Sequence, residues 1–93
     1  MSERIRRYYR FYGIVQGVGF RFQAMRAAEA LGLSGYVHNE DDGSVSMEVQ
    51  GEREAIDKAL ELIRNGRFIH IEKEEMKKID IQPDENGFNA DYW

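Results

Sequence analysis

Between a segment patterned as a strand and one patterned as a helix, the chain reads Gly13-Ile-Val-Gln-Gly-Val-Gly-Phe-Arg21. The segment before it, Ile5 to Tyr12, is aromatic and arginine-rich and reads as a strand. The segment after it, Phe22 to Leu31, places apolar residues at Phe22, Met25, Ala28 and Leu31, the spacing of a helix face. The glycines therefore fall where a strand gives way to a helix. Gly17 and Gly19 admit backbone conformations that a β-carbon disfavours, and they let a ligand approach the main chain closely. The first amides of the following helix have no partner within it and carry the positive end of its dipole. Successive N–H groups in such a turn form a concave nest for an anion. Arg21 adds a planar fork of donors suited to phosphate or carboxylate. An anion cradle is expected, built from Gln16, Gly17, Val18, Gly19, Phe20 and Arg21.

A glycine-rich turn is weak evidence by itself, since most are only tight turns. Two familiar phosphate loops fail on the residues present. A P-loop needs Gly-Lys followed by Ser or Thr, and this turn has no lysine. The dinucleotide fingerprint needs a third glycine where Phe22 stands. The seven residues Val15-Gln-Gly-Val-Gly-Phe-Arg21 instead resemble the active-site loop of the acylphosphatases, closely and specifically.

Composition narrows the remaining classes. Ninety-three residues suit one domain over residues 1–93, with a modest core. The net charge of −4 argues against a general nucleic-acid binder, although the N-terminus is locally basic. With no cysteine, disulfides, thiol chemistry and cysteine-bound zinc are ruled out. The two histidines, His38 and His70, lack metal-motif spacing, so no metal or other cofactor is expected. The charged N-terminus leads into no apolar run, and no stretch approaches the roughly 20 residues that span a bilayer. A cytoplasmic protein, monomeric and without a membrane partner, is the expectation.

Along the chain, Arg4, Arg6, Arg7 and Arg10 interleave with Tyr8, Tyr9, Phe11 and Tyr12. Such a mixture binds single-stranded nucleic acid in some proteins. The plainer reading, preferred here, is a sheet strand with its aromatics packed on one face and its arginines solvated. Gly32 is placed to stop the first helix. Gly35-Tyr-Val-His-Asn39 and Ser44 to Gln50 then read as a hairpin around Glu40-Asp-Asp-Gly43, with Val45, Met47 and Val49 on its buried face. This hairpin is similar to the second acylphosphatase signature, although the family more often has tryptophan where this chain has Tyr36. The resemblance implies that Arg21 binds the phosphoryl group and that Asn39 orients the attacking water. Without the loop, Asn39 would be an ordinary turn-initiating asparagine. His38 is the tempting general base, but neighbours on a strand face opposite sides, so His38 reads as a surface residue.

Gly51 to Glu54 opens a second helix with a buried stripe at Ile56, Ala59, Leu60 and Ile63, stopped by Asn65-Gly66. Phe68 to Gln82 reads as a strand whose charged centre, Glu72 to Lys78, suits an edge strand, a bulge or a loop. Pro83 to Gly87 is a turn, and Phe88 to Trp93 a short last strand. This order implies an α+β ferredoxin-like sandwich, an antiparallel sheet of four or five strands with two helices on one face. That superfold hosts many functions, so function rests on the loop and Asn39. The resemblance implies metal-independent hydrolysis of small-molecule acyl phosphates, with inorganic phosphate or sulfate as competing anions. Two other readings stay open: a single-stranded RNA-binding module, and a non-catalytic anion-sensing or interaction domain. Against the first, that module wants aromatics on its third strand, and Ser44 to Gln50 has none.

Overall fold

The computed structural model describes residues 3–90. Its elements run β1 (Arg4–Ile14), α1 (Phe20–Ala30), β2 (Ser34–Asn39), β3 (Val45–Glu52), α2 (Arg53–Arg64), β4 (His70–Ile79) and β5 (Phe88–Ala90). The strands form one sheet in the order β4-β1-β3-β2-β5, with both helices packed on one face, a ferredoxin-like α+β arrangement. The first four strands are antiparallel neighbours, whereas β5 lies parallel to β2, so the sheet is mixed. The connection explains this: β4 occupies one edge, and the chain must cross the sheet and reverse to reach the other. The expected last strand begins at Phe88 as read, and its residues 91–93 lie outside the described part.

The core is assembled from alternating strand positions and two helix stripes. Tyr9 and Phe11 of β1, Val37 of β2, and Val45, Met47 and Val49 of β3 are buried against the helices. From α2 come the expected Ile56, Ala59, Leu60 and Ile63. That helix begins at Arg53, because Gly51 and Glu52 still pair with Ile5 and Arg4 as part of β3. The stripe on α1 differs from expectation. The helix begins at Phe20, and its buried residues are Phe20, Ala24, Ala27 and Ala28, while Phe22 is 54% exposed. Two residues are about 200° of helix rotation, so a helix that buries Phe20 turns Phe22 away from the core. Phe11 and Phe20 meet with ring centroids 4.9 Å apart. Full burial of such a side chain contributes about 1.5–3 kcal/mol. The glycine turn is thus tied to the core at both ends, and through Val15 at 1% exposure.

The other face of the sheet is less solvated than the alternation suggests. Arg6 is only 3% exposed, and Ser46 and Gln50 are buried as well. Arg6 donates to Glu85 through Nη1 (2.7 Å) and Nη2 (3.0 Å), to Glu48 through Nε (2.9 Å), and to Gln50. Gln50 in turn accepts from the Gln82 amide and donates to its carbonyl. The segment between β4 and β5 is thereby latched over this face, and carboxylates replace the water that a solvated Arg6 would hold. Aromatics also occur on both faces of β1, with Tyr8 and Tyr12 alternating to the side of Arg6.

Of the three readings for Glu72 to Lys78, two are observed: among the described residues β4 pairs only with β1, as an edge strand with its charges exposed, and its ladder has a bulge-like irregularity that passes over Glu72. Such charges discourage further strand pairing. The register with β1 slips by one residue beside Gly13, where a β-carbon would lie 2.3 Å from the His70 carbonyl oxygen.

Candidate active site

β1 delivers the chain at Ile14, α1 begins at Phe20, and residues 15–19 make the turn between them. Gly17 and Gly19 hold φ of 72° and 83°, left-handed values that cost other residues about 1–2 kcal/mol. A β-carbon on either would meet nothing within 4 Å, so the space above the turn is open. Gly19 is the N-cap of α1. No side chain caps this helix end, and no acidic residue stands in its first turn. Helix geometry gives the first amides no partner within the helix, and they lie in the positive field of its dipole.

Arg21 is the second residue of α1, half-buried, with Nη1 enclosed. It lines a cavity of about 130 Å³ together with Gly17, Gly19, Asn39 and the apolar Val15, Phe20 and Phe22. At about 30 Å³ per water, that volume suits a tetrahedral oxyanion. Asn39 reaches it because the sheet register sets its face. It stands opposite Val45, and Val45 stands opposite Phe11, so all three point toward the helices. His38 stands opposite Ser46 on the other face, half-buried and away from the cavity. Asn39 also borders a wider recess lined by Gln16, Glu40 and Asp41.

Other residues of the glycine turn contribute differently. The Phe20 ring is buried in the core, leaving its backbone for the site. Gln16 turns its side chain away from the cavity and toward the β2–β3 turn, where Nε2 donates to the carbonyls of Glu40 (2.7 Å) and Ser44 (2.9 Å). Further contacts hold the same turn. Asp42 accepts from the Ser44 amide at 2.9 Å, Arg10 donates to Asp42 and Ser44, and Ser46 donates to Glu40. The bonds from Ser44, and then the Arg10 charge, hold the Asp42 carboxyl below its usual pKa. Asn39 thus sits at the lip of a turn pinned from β1, β3 and the glycine turn. Local sequence carries no sign of the Gln16 and Arg10 contacts, which join residues 24 to 34 positions apart.

The acylphosphatase family profile matches residues 7–90, which include both the glycine turn and Asn39. The chain belongs to the acylphosphatase family. An acylphosphatase of Yersinia pseudotuberculosis is 49% identical over 55 residues, which cover 59% of this chain and 60% of that protein. The chain thus spans about 60% of that relative's length. One of Paraburkholderia xenovorans is 48% identical over 67 residues, 71% of this chain and 69% of that protein. The crystal structure of acylphosphatase from Bacillus subtilis is similar at a TM-score of 0.87 and 28% identity, covering 95% of this chain and 99% of that one. Tyr36, where acylphosphatases more often carry tryptophan, donates its hydroxyl to Glu48 at 2.8 Å. Burial, and then that bond and the Glu48 charge, push the Tyr36 hydroxyl up to about 12. It stays a protonated donor, part of the Arg6 network and remote from the cavity.

Proposed function

We propose that the chain hydrolyses the carboxyl–phosphate bond of small acyl phosphates, with the phosphoryl group held by residues 16–21 and the water oriented by Asn39. One observation carries this reading: Arg21 and Asn39, from different elements, line the same cavity at an uncapped helix N-terminus. The backbone amides of the cradle and the Arg21 guanidinium would take the phosphoryl oxygens. The Asn39 amide would hold water in line with the bond to the acyl oxygen. Water forms the new P–O bond, the acyl oxygen leaves with the bonding pair as carboxylate, and the products are RCOO⁻ and H₂PO₄⁻. A mixed anhydride needs no general acid, because carboxylate is a good leaving group. A loose phosphoryl transition state asks chiefly for positioning and charge stabilisation. Asparagine takes no proton, so that proton ends on the phosphate.

The reaction is proposed to need no metal. Among the described residues no three His, Asp or Glu side chains are grouped to hold one, and Arg21 supplies positive charge to the phosphoryl group. RNA binding is the weaker reading: Arg6, Arg7 and Arg10 are committed to Glu48 and Glu85, to Asp57 and to Asp42. Among the described residues no helix is long and apolar enough to cross a membrane. A cytoplasmic monomer fits the proposed small-molecule substrate.

Turnover of acetyl and benzoyl phosphate in excess chelator, by the parent, Asn39→Ala and His38→Ala, tests the assignment. Asn39→Ala should lower kcat far more than it raises KM, since aligned water matters most in the transition state. His38→Ala, on the other face, should keep near-parental turnover. A folded Asn39→Ala with parental kcat would remove Asn39 from the mechanism. A parent that binds phosphate without turning over would instead be a sensing domain.

A further inference from the structure

The cradle accounts for the phosphoryl end of a substrate, which leaves the acyl end without a seat. Three apolar residues line the cavity, Val15, Phe20 and Phe22. Val15 and Phe20 are 1% and 2% exposed and already spend their surface on the core, whereas Phe22 is 54% exposed. A single exposed phenylalanine is ordinary. This one borders the candidate active site and is held in place there. The Arg26 guanidinium, one helical turn on, lies over its ring with Cζ 5.6 Å from the centroid, within cation–π range. One face of the ring is thus occupied by a cation. The ring also belongs to the first turn of α1, within about 5 Å along the axis of the cradle amides. That distance matches the span from phosphorus through the bridging oxygen to an acyl substituent.

Resting on the hydrolase reading above, we propose that Phe22 is the acyl subsite, and that the site favours acyl phosphates with a flat apolar acyl group over acetyl-sized ones. An aromatic or similar planar group would lie against the free part of the ring while its phosphate occupies the cradle. Arg26 positions that ring. Acetyl phosphate fills the cradle but has too little surface to use the phenylalanine.

The experiment measures kcat/KM for benzoyl and acetyl phosphate with the parent, Phe22→Ala and Phe22→Leu. The two substrates differ in intrinsic reactivity, so the informative quantity is how the benzoyl-to-acetyl ratio changes between parent and variant. Phe22→Ala should lower that ratio about tenfold, as loss of an aromatic contact implies. Phe22→Leu, which keeps bulk without the ring, should lower it less. Both variants should melt like the parent because the side chain faces solvent. An unchanged ratio, or an equal fall on both substrates, would overturn the subsite while leaving the hydrolase reading standing. A parent that hydrolyses neither compound would overturn both.

Discussion

Truncating Gln16 to alanine should lower turnover while sparing anion binding. The Gln16 amide donates to the carbonyl of Glu40, next to Asn39 in the chain, and to that of Ser44 at the far side of the same turn. Each such bond contributes about 1 kcal/mol net. Neither carbonyl would be orphaned, since Glu40 O also accepts from the Gly43 amide and Ser44 O from the Glu40 amide. The larger penalty for a buried unsatisfied acceptor therefore does not apply, and the loss should total about 1–2 kcal/mol. For a chain of 93 residues, this lowers the melting temperature by about 5–15 °C. If the bonds hold Asn39 in its reactive position, the same loss lowers kcat by about 5- to 30-fold. Competitive inhibition by phosphate should change less than about threefold, because the cradle amides and Arg21 are untouched. The assay pairs thermal melts by circular dichroism with initial rates on benzoyl phosphate and inhibition by phosphate. Parental melting and parental kcat together would refute the pinning role. Weaker phosphate binding that matched the fall in rate would return Gln16 to the cradle itself.

Two further predictions concern the anion and the latch. Arg21→Lys keeps the charge but loses the planar fork, and should lower the rate by roughly 10²–10³; parental phosphate or sulfate affinity by calorimetry would remove Arg21 from the cradle. Glu85→Gln should destabilise the fold by about 1–3 kcal/mol at pH 7, because buried Arg6 would keep only Glu48 as an anionic partner. Burial pushes the Glu85 carboxyl up, but the Arg6 hydrogen bonds and charge outweigh it and hold its pKa below the ordinary value. A depressed carboxyl stabilises fully above its unfolded pKa of about 4.3, and that stabilisation fades as pH falls through the lower folded value. The melting gap between parent and Glu85→Gln should accordingly be widest near pH 7 and close below about pH 4; an equal gap at pH 3 and pH 7 would refute the ion-pair account.

What the linear pattern carries is local. Period-2 and period-3.6 spacing marks the strands and helices, since each needs one face buried, and the glycines announce turns that other residues would strain. The lining of the proposed cradle is legible for the same reason: Gly17, Gly19 and Arg21 are neighbours in sequence and line one cavity. Alternation alone also separates Asn39 from His38. Tertiary structure decides whatever depends on partners far along the chain. Arg6 looks solvated until Glu85, 79 residues away, closes over it. Phe22 looks like core until α1 begins at Phe20 and rotates it outward to the cavity. Gln16 belongs to the anion loop by position, yet the β2–β3 turn takes its side chain. The strand pairing that makes β5 parallel depends on which edge remains open after four strands have packed. In each case a polar group or ring is satisfied by whichever long-range neighbour the packed sheet brings near, and local periodicity does not encode that neighbour.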